Sequence, residues 1–429
     1  MREKTQLELA RAGIASRELK MLAAQEGIKE SQLLQLVAEG KAVIPSNKQI
    51  TLEQPRAIGK GLLVKVNANL GTSPLFPQAK EERKKLKAAL SAGADTVMDL
   101  STGGNIKNIR AQIRKNCPLP LGTVPIYEAA ERSRLKGEGL INIKEDAFFQ
   151  IIEEQAKDGV DFVTVHCGIT QYSLSQLEKQ GRVMGIVSRG GALIASWMKA
   201  NHKENPFYAD FGRVIDIAKK YDLTLSLGDA LRPGAISDAT DRAQIAELTT
   251  LAQLAQEAHQ AGVQVMIEGP GHVPLNQIEV NIRLEKALCN DRPFYVLGPL
   301  PTDIAAGYDH IAGAVGGALA AFYGADFLCY LTPTEHLGLP QAEDVREGVV
   351  ITKIAAHIAD LARGSKIAWE KDLAMAKARK AFDWQRMFEL TIDREKAKKI
   401  HRRRSSGIEE ECSMCGDFCA LKIFKEAFK

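Results

Sequence analysis

The chain of 429 residues is 45% hydrophobic and 26% charged, with a formal net charge of +4. It is long enough to bury a large core, and so small a charge excess gives no ground for nucleic-acid or membrane partners. The most apolar stretch, 311–325, is rich in Gly and Ala and ends at Asp326, and the opening Met1-Arg-Glu-Lys-Thr-Gln is polar, so neither a membrane span nor a signal peptide is expected.

Residues 1–60 read as a small helical appendage, with amphipathic stretches around Glu8–Gln25 and Glu30–Glu39 and a strand-like Ala42–Pro45. Over residues 61–340, short β-branched apolar runs alternate with helical segments. The runs are Leu62–Val66, Thr96–Leu100, Leu121–Pro125, Phe162–Val165, Val183–Val187, Leu223–Leu227, Val263–Ile267, Phe294–Leu297 and Phe327–Leu331. Continuous apolar strands alternating with helices predict a parallel sheet covered on both faces. Eight such units close a (β/α)8 TIM-type barrel, which leaves one of the nine candidates peripheral. The rival, a doubly wound open sheet, usually carries a Gly-rich fingerprint after its first strand, and none is present. Residues 341–400 read as a C-terminal helical region. The basic segment Lys398–Gly407 has no interleaved aromatics and reads as a solvated connector.

Residues 401–429 form a tethered tail containing Cys412-Ser-Met-Cys415-Gly-Asp-Phe-Cys419. Three thiols so close together suit a soft metal or an iron–sulfur cluster, and a four-iron cluster on three cysteines keeps one iron open. A structural zinc site would need a fourth ligand, and the nearest histidine, His401, lies eleven residues upstream of Cys412. Free or redox-active thiols remain a further reading. The other four cysteines (Cys117, Cys167, Cys289, Cys329) stand singly, which fits a reducing cytoplasm.

A barrel of this type carries its active site at the carboxyl ends of its strands. Polar residues bunch there: Asn67 and Asn69, Met98-Asp-Leu-Ser-Thr-Gly-Gly104, Tyr127, His166-Cys-Gly168, Ser188-Arg-Gly-Gly191, Gly228-Asp-Ala-Leu-Arg-Pro-Gly234, Glu268-Gly-Pro-Gly-His272, Tyr295 and Thr334-Glu-His336. Ser188, Arg189 and Gly190 at a helix start suit a phosphate, or form a plain glycine turn with a surface arginine. Asp229 and Arg232 could bind a ribose or pair with each other. His272 and His336, with Glu268 beside them, could hold a metal or be structural. His166 and Tyr127 could orient a substrate or move protons, or be satisfied groups of the barrel rim. Together these features predict a small phosphorylated, ribosyl, nitrogenous substrate. A tethered cluster that splits S-adenosylmethionine would close over it, since a carbon radical needs shielding from water.

The segments Asn67-Ala-Asn-Leu-Gly-Thr-Ser73, Ala94–Gly104, Thr164–Gly168, Ile186–Gly191, Glu268-Gly-Pro-Gly-His-Val-Pro274 and the cysteine tail resemble the phosphomethylpyrimidine synthase family, over about Thr5 to Lys422. The resemblance implies a radical S-adenosylmethionine enzyme, a carbon–carbon lyase acting on 5-aminoimidazole ribotide with an external electron donor. Cys412, Cys415 and Cys419 would carry a [4Fe-4S] cluster, and His272 and His336 a zinc-type divalent metal. Asn67, Met98, Tyr127, His166, Ser188, Arg189, Gly190, Asp229, Arg232, Glu268 and Tyr295 would contact substrate. Members resemble one another as homodimers whose tail closes the neighbour's barrel. Two loops depart from the family pattern: Ala230 stands where glycine is usual, and Ala306 where proline is usual. These departures point the sequence reading towards the branch that makes 5-hydroxybenzimidazole, the lower base of cobamides in anaerobes, with the thiamine pyrimidine phosphate as the alternative product. A zinc-dependent barrel hydrolase using His272, His336 and Glu268 is the reading from another class.

Overall fold

The computed structural model describes residues 3–403 and 414–428 of the chain. Two compact units follow one another, Met1–Ala359 and Asp360–Lys429.

The first unit opens with helices Gln6–Arg11, Arg17–Gln25 and Glu30–Ala38. The periodicity over Glu8–Gln25 predicts one helix, and the chain makes two. Gly13 takes a left-handed φ of 74°, and the Ser16 hydroxyl then caps the restart by accepting from Leu19 N at 3.1 Å. Leu19, Leu22, Leu33 and Val37 bury a small core against Ala42, Ile44 and Leu62. Behind them, Ala42–Val43 pairs antiparallel with Ile58–Gly59.

The body is a closed barrel of parallel strands: β1 Lys65–Leu70, β2 Thr96–Asp99, β3 Leu121–Thr123, β4 Phe162–Val165, β5 Thr224–Leu227, β6 Val265–Gly269, β7 Phe294–Leu297 and β8 Phe327–Cys329, with β8 closing onto β1. Sequences such as Phe-Val-Thr-Val and Phe-Tyr-Val-Leu are buried on both faces, as a helix-covered parallel sheet requires. The TIM-type barrel expected from the alternation is the observed fold.

The ninth run, Val183–Val187, is the one outside the barrel. Val183 and Met184 are 77% and 53% exposed, and their backbone N–H groups donate to the Asp238 carboxylate at 2.9 Å each, so no strand partner takes them. The first strand also starts three residues later than its apolar run suggested. Asn67 and Asn69 therefore lie within β1 rather than beyond it.

One device repeats at the amino-terminal end of the barrel. Asp95, Asp161 and Asp326 each precede a strand, and each accepts the backbone N–H of a neighbouring strand (Val66, Leu121 and Phe294) while binding Lys353, Arg114 and Lys286 respectively. Charge-assisted bonds of this kind fix strand register at the end that carries stability, leaving the carboxyl ends free for chemistry.

In the second unit, helices Lys366–Ala381, Trp384–Leu390 and Arg394–Arg402 precede the turn Gly416–Phe418 and the helix Ala420–Ala427. Among the described residues no helix is long and apolar enough to cross a membrane.

Candidate active site

The carboxyl ends of the strands surround a cavity of about 500 Å³. Of the residues singled out from sequence, Met98, Tyr127, His166, Asp229, Arg232, Glu268 and Tyr295 line it, together with Asn69, Thr164 and Cys329. Asn67 is fully buried and not among the lining residues, and it reaches the cavity through its bond to Tyr295. The amide donates to Tyr295 OH at 2.8 Å and accepts from Thr96 Oγ1 at 2.7 Å, which fixes both rotamers. Tyr295 OH also lies 3.7 Å from Met98 Sδ. Burial pushes the Tyr295 phenol well above its ordinary value, so it stays a neutral donor.

His166 and Ser188 both follow β4, because the fifth apolar run is a loop rather than a strand. After the helix Gln171–Gln180 the chain returns, and Ser188 caps the helix Arg189–Asn201, accepting from Gly191 N at 3.1 Å. The same hydroxyl meets His166 Nε2 at 3.2 Å. The imidazole packs directly against Gly190, where a Cβ would sit 2.1 Å from its Cε1. Its Nδ1 is buried and has no hydrogen-bond partner among the described residues. Burial, with Arg232 adding to it, depresses the His166 pKa to about 3, so the ring is neutral at physiological pH. Arg189 extends from the first turn of the capped helix and places its guanidinium 5.0 Å from the centre of the Tyr127 ring. Ser188, Arg189 and Gly190 are not themselves lining residues of this cavity, but they set a helix N-terminus and a cation beside its lining residues His166 and Tyr127, an arrangement suited to an anion.

Asp229 and Arg232 pair at 2.9 Å across a tight loop. Glu268, near the end of β6, accepts from Thr164 Oγ1 at 2.7 Å and Ser226 Oγ at 2.5 Å. Burial and the negative charge of Asp229 raise its pKa to about 8. A carboxyl in that setting is protonated at neutral pH and can hold or donate a proton into the cavity.

His272 and His336 come together, with ring centres 5.2 Å apart. His272 Nδ1 is 2.7 Å from Asp303 Oδ1, and His336 Nδ1 is 3.2 Å from Asp309 Oδ2. Carboxylates on both Nδ1 atoms set the tautomer and leave Nε2 available on each ring, as in histidine metal ligands. The pair fits a divalent ion as two ligands. No cluster of three or more His, Cys, Asp or Glu able to hold a metal occurs among the described residues. In the second unit, Cys415 and Cys419 border a concavity of about 620 Å³ with Phe382, Trp384 and Met387. Cys415 is exposed and Cys419 half-buried, and soft thiols beside apolar and aromatic walls suit a metal cluster. Cys412 lies outside the described residues.

Several residues of the site were missed in the sequence. Asp303 and Asp309 acquire their roles only when the fold brings them to the two histidines. Cys329, with Asn69 Nδ2 3.0 Å from its sulfur, and Thr164 with Ser226 under Glu268 were likewise unsuspected. A periodic signal existed for these, since Cys329, Thr164 and Ser226 sit within strands whose alternate residues face the barrel interior.

The two departures from the family pattern lie off the cavity wall. Ala230 is fully buried with an ordinary backbone, having no positive φ, while Ala306 is exposed on the loop before the helix Asp309–Tyr323.

The profile described as the radical SAM ThiC family matches residues 5–426. The chain is similar to the phosphomethylpyrimidine synthase of Caldanaerobacter subterraneus subsp. tengcongensis, at 57% identity covering 98% of each chain. It is similar to that of Moorella thermoacetica at 55%, over 98% of each. To that of Methanocaldococcus jannaschii it is 53% identical, over 99% of this chain and 100% of the other. Among solved structures, dihydropteroate synthase from Stenotrophomonas maltophilia is similar at 11% identity and a TM-score of 0.42, over 70% of this chain and 93% of that one.

Proposed function

The chain belongs to the radical SAM ThiC family, and we propose that it is a phosphomethylpyrimidine synthase, a lyase that rearranges 5-aminoimidazole ribotide into 4-amino-5-hydroxymethyl-2-methylpyrimidine phosphate for thiamine. The observation that carries this reading is the convergence of Met98, Tyr127, His166, Asp229, Arg232, Glu268 and Tyr295 on one cavity. The full-length likeness to enzymes of that name favours the pyrimidine over 5-hydroxybenzimidazole. The case for the benzimidazole rested on Ala230 and Ala306, and neither lines the cavity.

In this reading the phosphate sits on Ser188, Gly190 and Arg189, where N–H groups and a guanidinium meet it, and Asp229 with Arg232 holds the ribose hydroxyls. Asn67, Met98 and Tyr295 seat the imidazole at the barrel floor. Neutral His166 orients the sugar end, with Nδ1 free to accept or donate. Protonated Glu268 keeps a proton within reach of the ring. Tyr127, stacked under Arg189, excludes water from the phosphate side. When bound on Cys412, Cys415 and Cys419, a [4Fe-4S] cluster supplies the electron for reductive cleavage of S-adenosylmethionine, drawn from an external donor. A zinc-type ion held by Nε2 of His272 and His336 would supply a Lewis-acidic contact. We assign the working form as a cytoplasmic homodimer whose cysteine tail closes the partner's barrel.

A zinc hydrolase is the weaker reading. Catalytic zinc usually has three protein ligands, and the described residues supply a histidine pair without a third.

The test is anaerobic. The protein is reconstituted with iron and sulfide and given 5-aminoimidazole ribotide, S-adenosylmethionine and dithionite, and the products are identified by mass spectrometry. Pyrimidine phosphate with 5′-deoxyadenosine is the expected outcome. A benzimidazole product would overturn the assigned product, and absence of 5′-deoxyadenosine would overturn the radical reaction.

A further inference from the structure

The two loops assigned to the phosphate and the ribose are separated by more than thirty residues of chain, yet one buried side chain holds both. Arg182 follows the helix Gln171–Gln180, and its side chain is fully buried. It forms a two-pronged bond to Asp241, Nε to Oδ2 at 2.6 Å and Nη2 to Oδ1 at 2.7 Å. Its remaining N–H groups reach outward to backbone carbonyls: Leu231 at 2.7 Å, Arg232 at 3.4 Å and Gly185 at 3.3 Å. Leu231 and Arg232 belong to the Asp229–Arg232 loop, and Gly185 belongs to the segment that leads into Ser188.

The far side of the ribose loop is gripped as well. Leu231 N donates to Glu247 Oε2 at 2.8 Å, so one residue of that loop is held through both its N–H and its carbonyl by two buried polar side chains. Asp238 fixes Val183 N and Met184 N. Asp303, which orients His272, also accepts Ile236 N at 3.0 Å. Arg182, Asp238, Glu247 and Asp303 are not among the residues lining the cavity, whereas Asp229 and Arg232, on the loop they hold, are. A guanidinium offers five donors in a rigid plane, and only arginine can join a carboxylate and three carbonyls at once.

We propose that Arg182 is a positioning residue: it fastens the Ser188–Gly190 turn to the Asp229–Arg232 loop, so that the phosphate and ribose ends of the substrate are met by one preorganised surface. This rests on the proposed function for the identity of the ligand. Binding energy from such remote groups depends on their being held in place before substrate arrives.

Three proteins test it: wild type, Arg182→Lys, and the control Arg114→Lys. Arg114 is a similarly enclosed guanidinium, bound to Asp161 at 2.8 Å and to the Leu119 carbonyl at 2.9 Å, but at the opposite end of the barrel. Hydrogen exchange of residues 183–191 and 228–233 is followed together with calorimetric binding of 5-aminoimidazole ribotide to the unreduced protein. In Arg182→Lys both segments exchange faster and the Kd rises at least tenfold, with KM rising while kcat changes less than threefold. Arg114→Lys lowers the melting temperature without either effect. Unchanged exchange in the 228–233 segment, an unchanged Kd, or the same loss of binding in Arg114→Lys overturns the proposal. Should wild type itself not bind the ribotide, the proposed function falls. The exchange data then decide on the fastening alone, for it if both segments loosen and against it if only residues near 182 do.

Discussion

Substituting Gly190→Ala puts a methyl group where no methyl can stand. The added Cβ would lie 2.1 Å from His166 Cε1, 2.5 Å from Nδ1 and 2.6 Å from Nε2, against 3.4 Å for ordinary contact, so the ring must retreat by about 1.3 Å (3.4 minus 2.1). It has little room. Its backbone carbonyl accepts from Asn205 Nδ2 at 2.7 Å, its Nε2 is tied to Ser188, and Gly228 lies close by, where a Cβ would be 3.5 Å from Cδ2. Overpacking of this kind costs about 1–3 kcal/mol, a loss of a few degrees in Tm for a chain of this size. Catalysis suffers more, because a displacement of about 1 Å in a positioned group removes roughly a hundredfold in rate. The measurement is kcat/KM by product chromatography beside Tm by scanning fluorimetry, repeated in a His166→Ala background. With the ring gone, Gly190→Ala should cost less than about 0.5 kcal/mol, as expected once the colliding partner is absent. A Gly190→Ala enzyme with wild-type kcat/KM, or an undiminished stability cost in the double variant, would refute the steric argument.

Glu268 should impose an alkaline limit on activity. Its pKa is raised to about 8 by burial and Asp229, so the protonated form is lost as pH rises through that value, and kcat/KM should fall with it. Glu268→Gln keeps a donor that cannot ionise and should remove the falling limb; an identical limb in the variant would exclude Glu268 as its source. The same raised pKa stabilises the fold fully only below the unfolded value near 4.5, and the contribution is gone above about pH 8, so Tm should decline across that window less steeply in Glu268→Gln. His272→Ala should abolish retention of zinc after dialysis, measured by plasma mass spectrometry, and Asp303→Asn should weaken it by about 10–100-fold through the loss of the Nδ1 partner. Full zinc occupancy in His272→Ala would place the ion elsewhere. Ala230→Gly with Ala306→Pro should leave the product a single pyrimidine phosphate and kcat/KM within about threefold, as expected for positions outside the cavity lining; a change of product would show that these positions steer the rearrangement.

Much of this architecture was legible because parallel strands buried on both faces must be apolar, and eight of nine apolar runs are such strands. Val183–Val187 misled for a physical reason. Its composition suits a strand, but its N–H groups are claimed by Asp238, a side chain 55 residues further on, and composition carries no trace of that partner. The shifted start of β1 has a similar origin: Lys65 N takes the Asp326 carbonyl at 3.1 Å, so pairing begins where the closing strand reaches it. Some residues of the cavity, such as His166, Asp229 and Arg232, were legible as polar breaks after apolar runs, whereas Thr164 and Cys329 lie inside strands and gave no such break. The states of the cavity residues were not legible. The neutrality of His166 and the proton on Glu268 follow from burial and from charges brought near by other strands, so they exist only in the closed barrel.

That distinction bears on how product choice should be sought in this family. The two departures that stand out in the sequence, Ala230 and Ala306, fall on residues with no positive φ that are not among those lining the cavity. The groups that decide what a substrate meets are instead held by partners with no motif of their own: Arg182 behind two loops, Glu247 under Leu231, and Asp303 behind His272. Because each acts through a backbone group or another side chain, a change at any of them would move several contacts together by fractions of an ångström. A radical intermediate has neighbouring atoms on every side, and small shifts of that kind decide which is nearest. A divergent product is therefore better looked for in substitutions of these supporting residues than in single exchanges on the loops they hold.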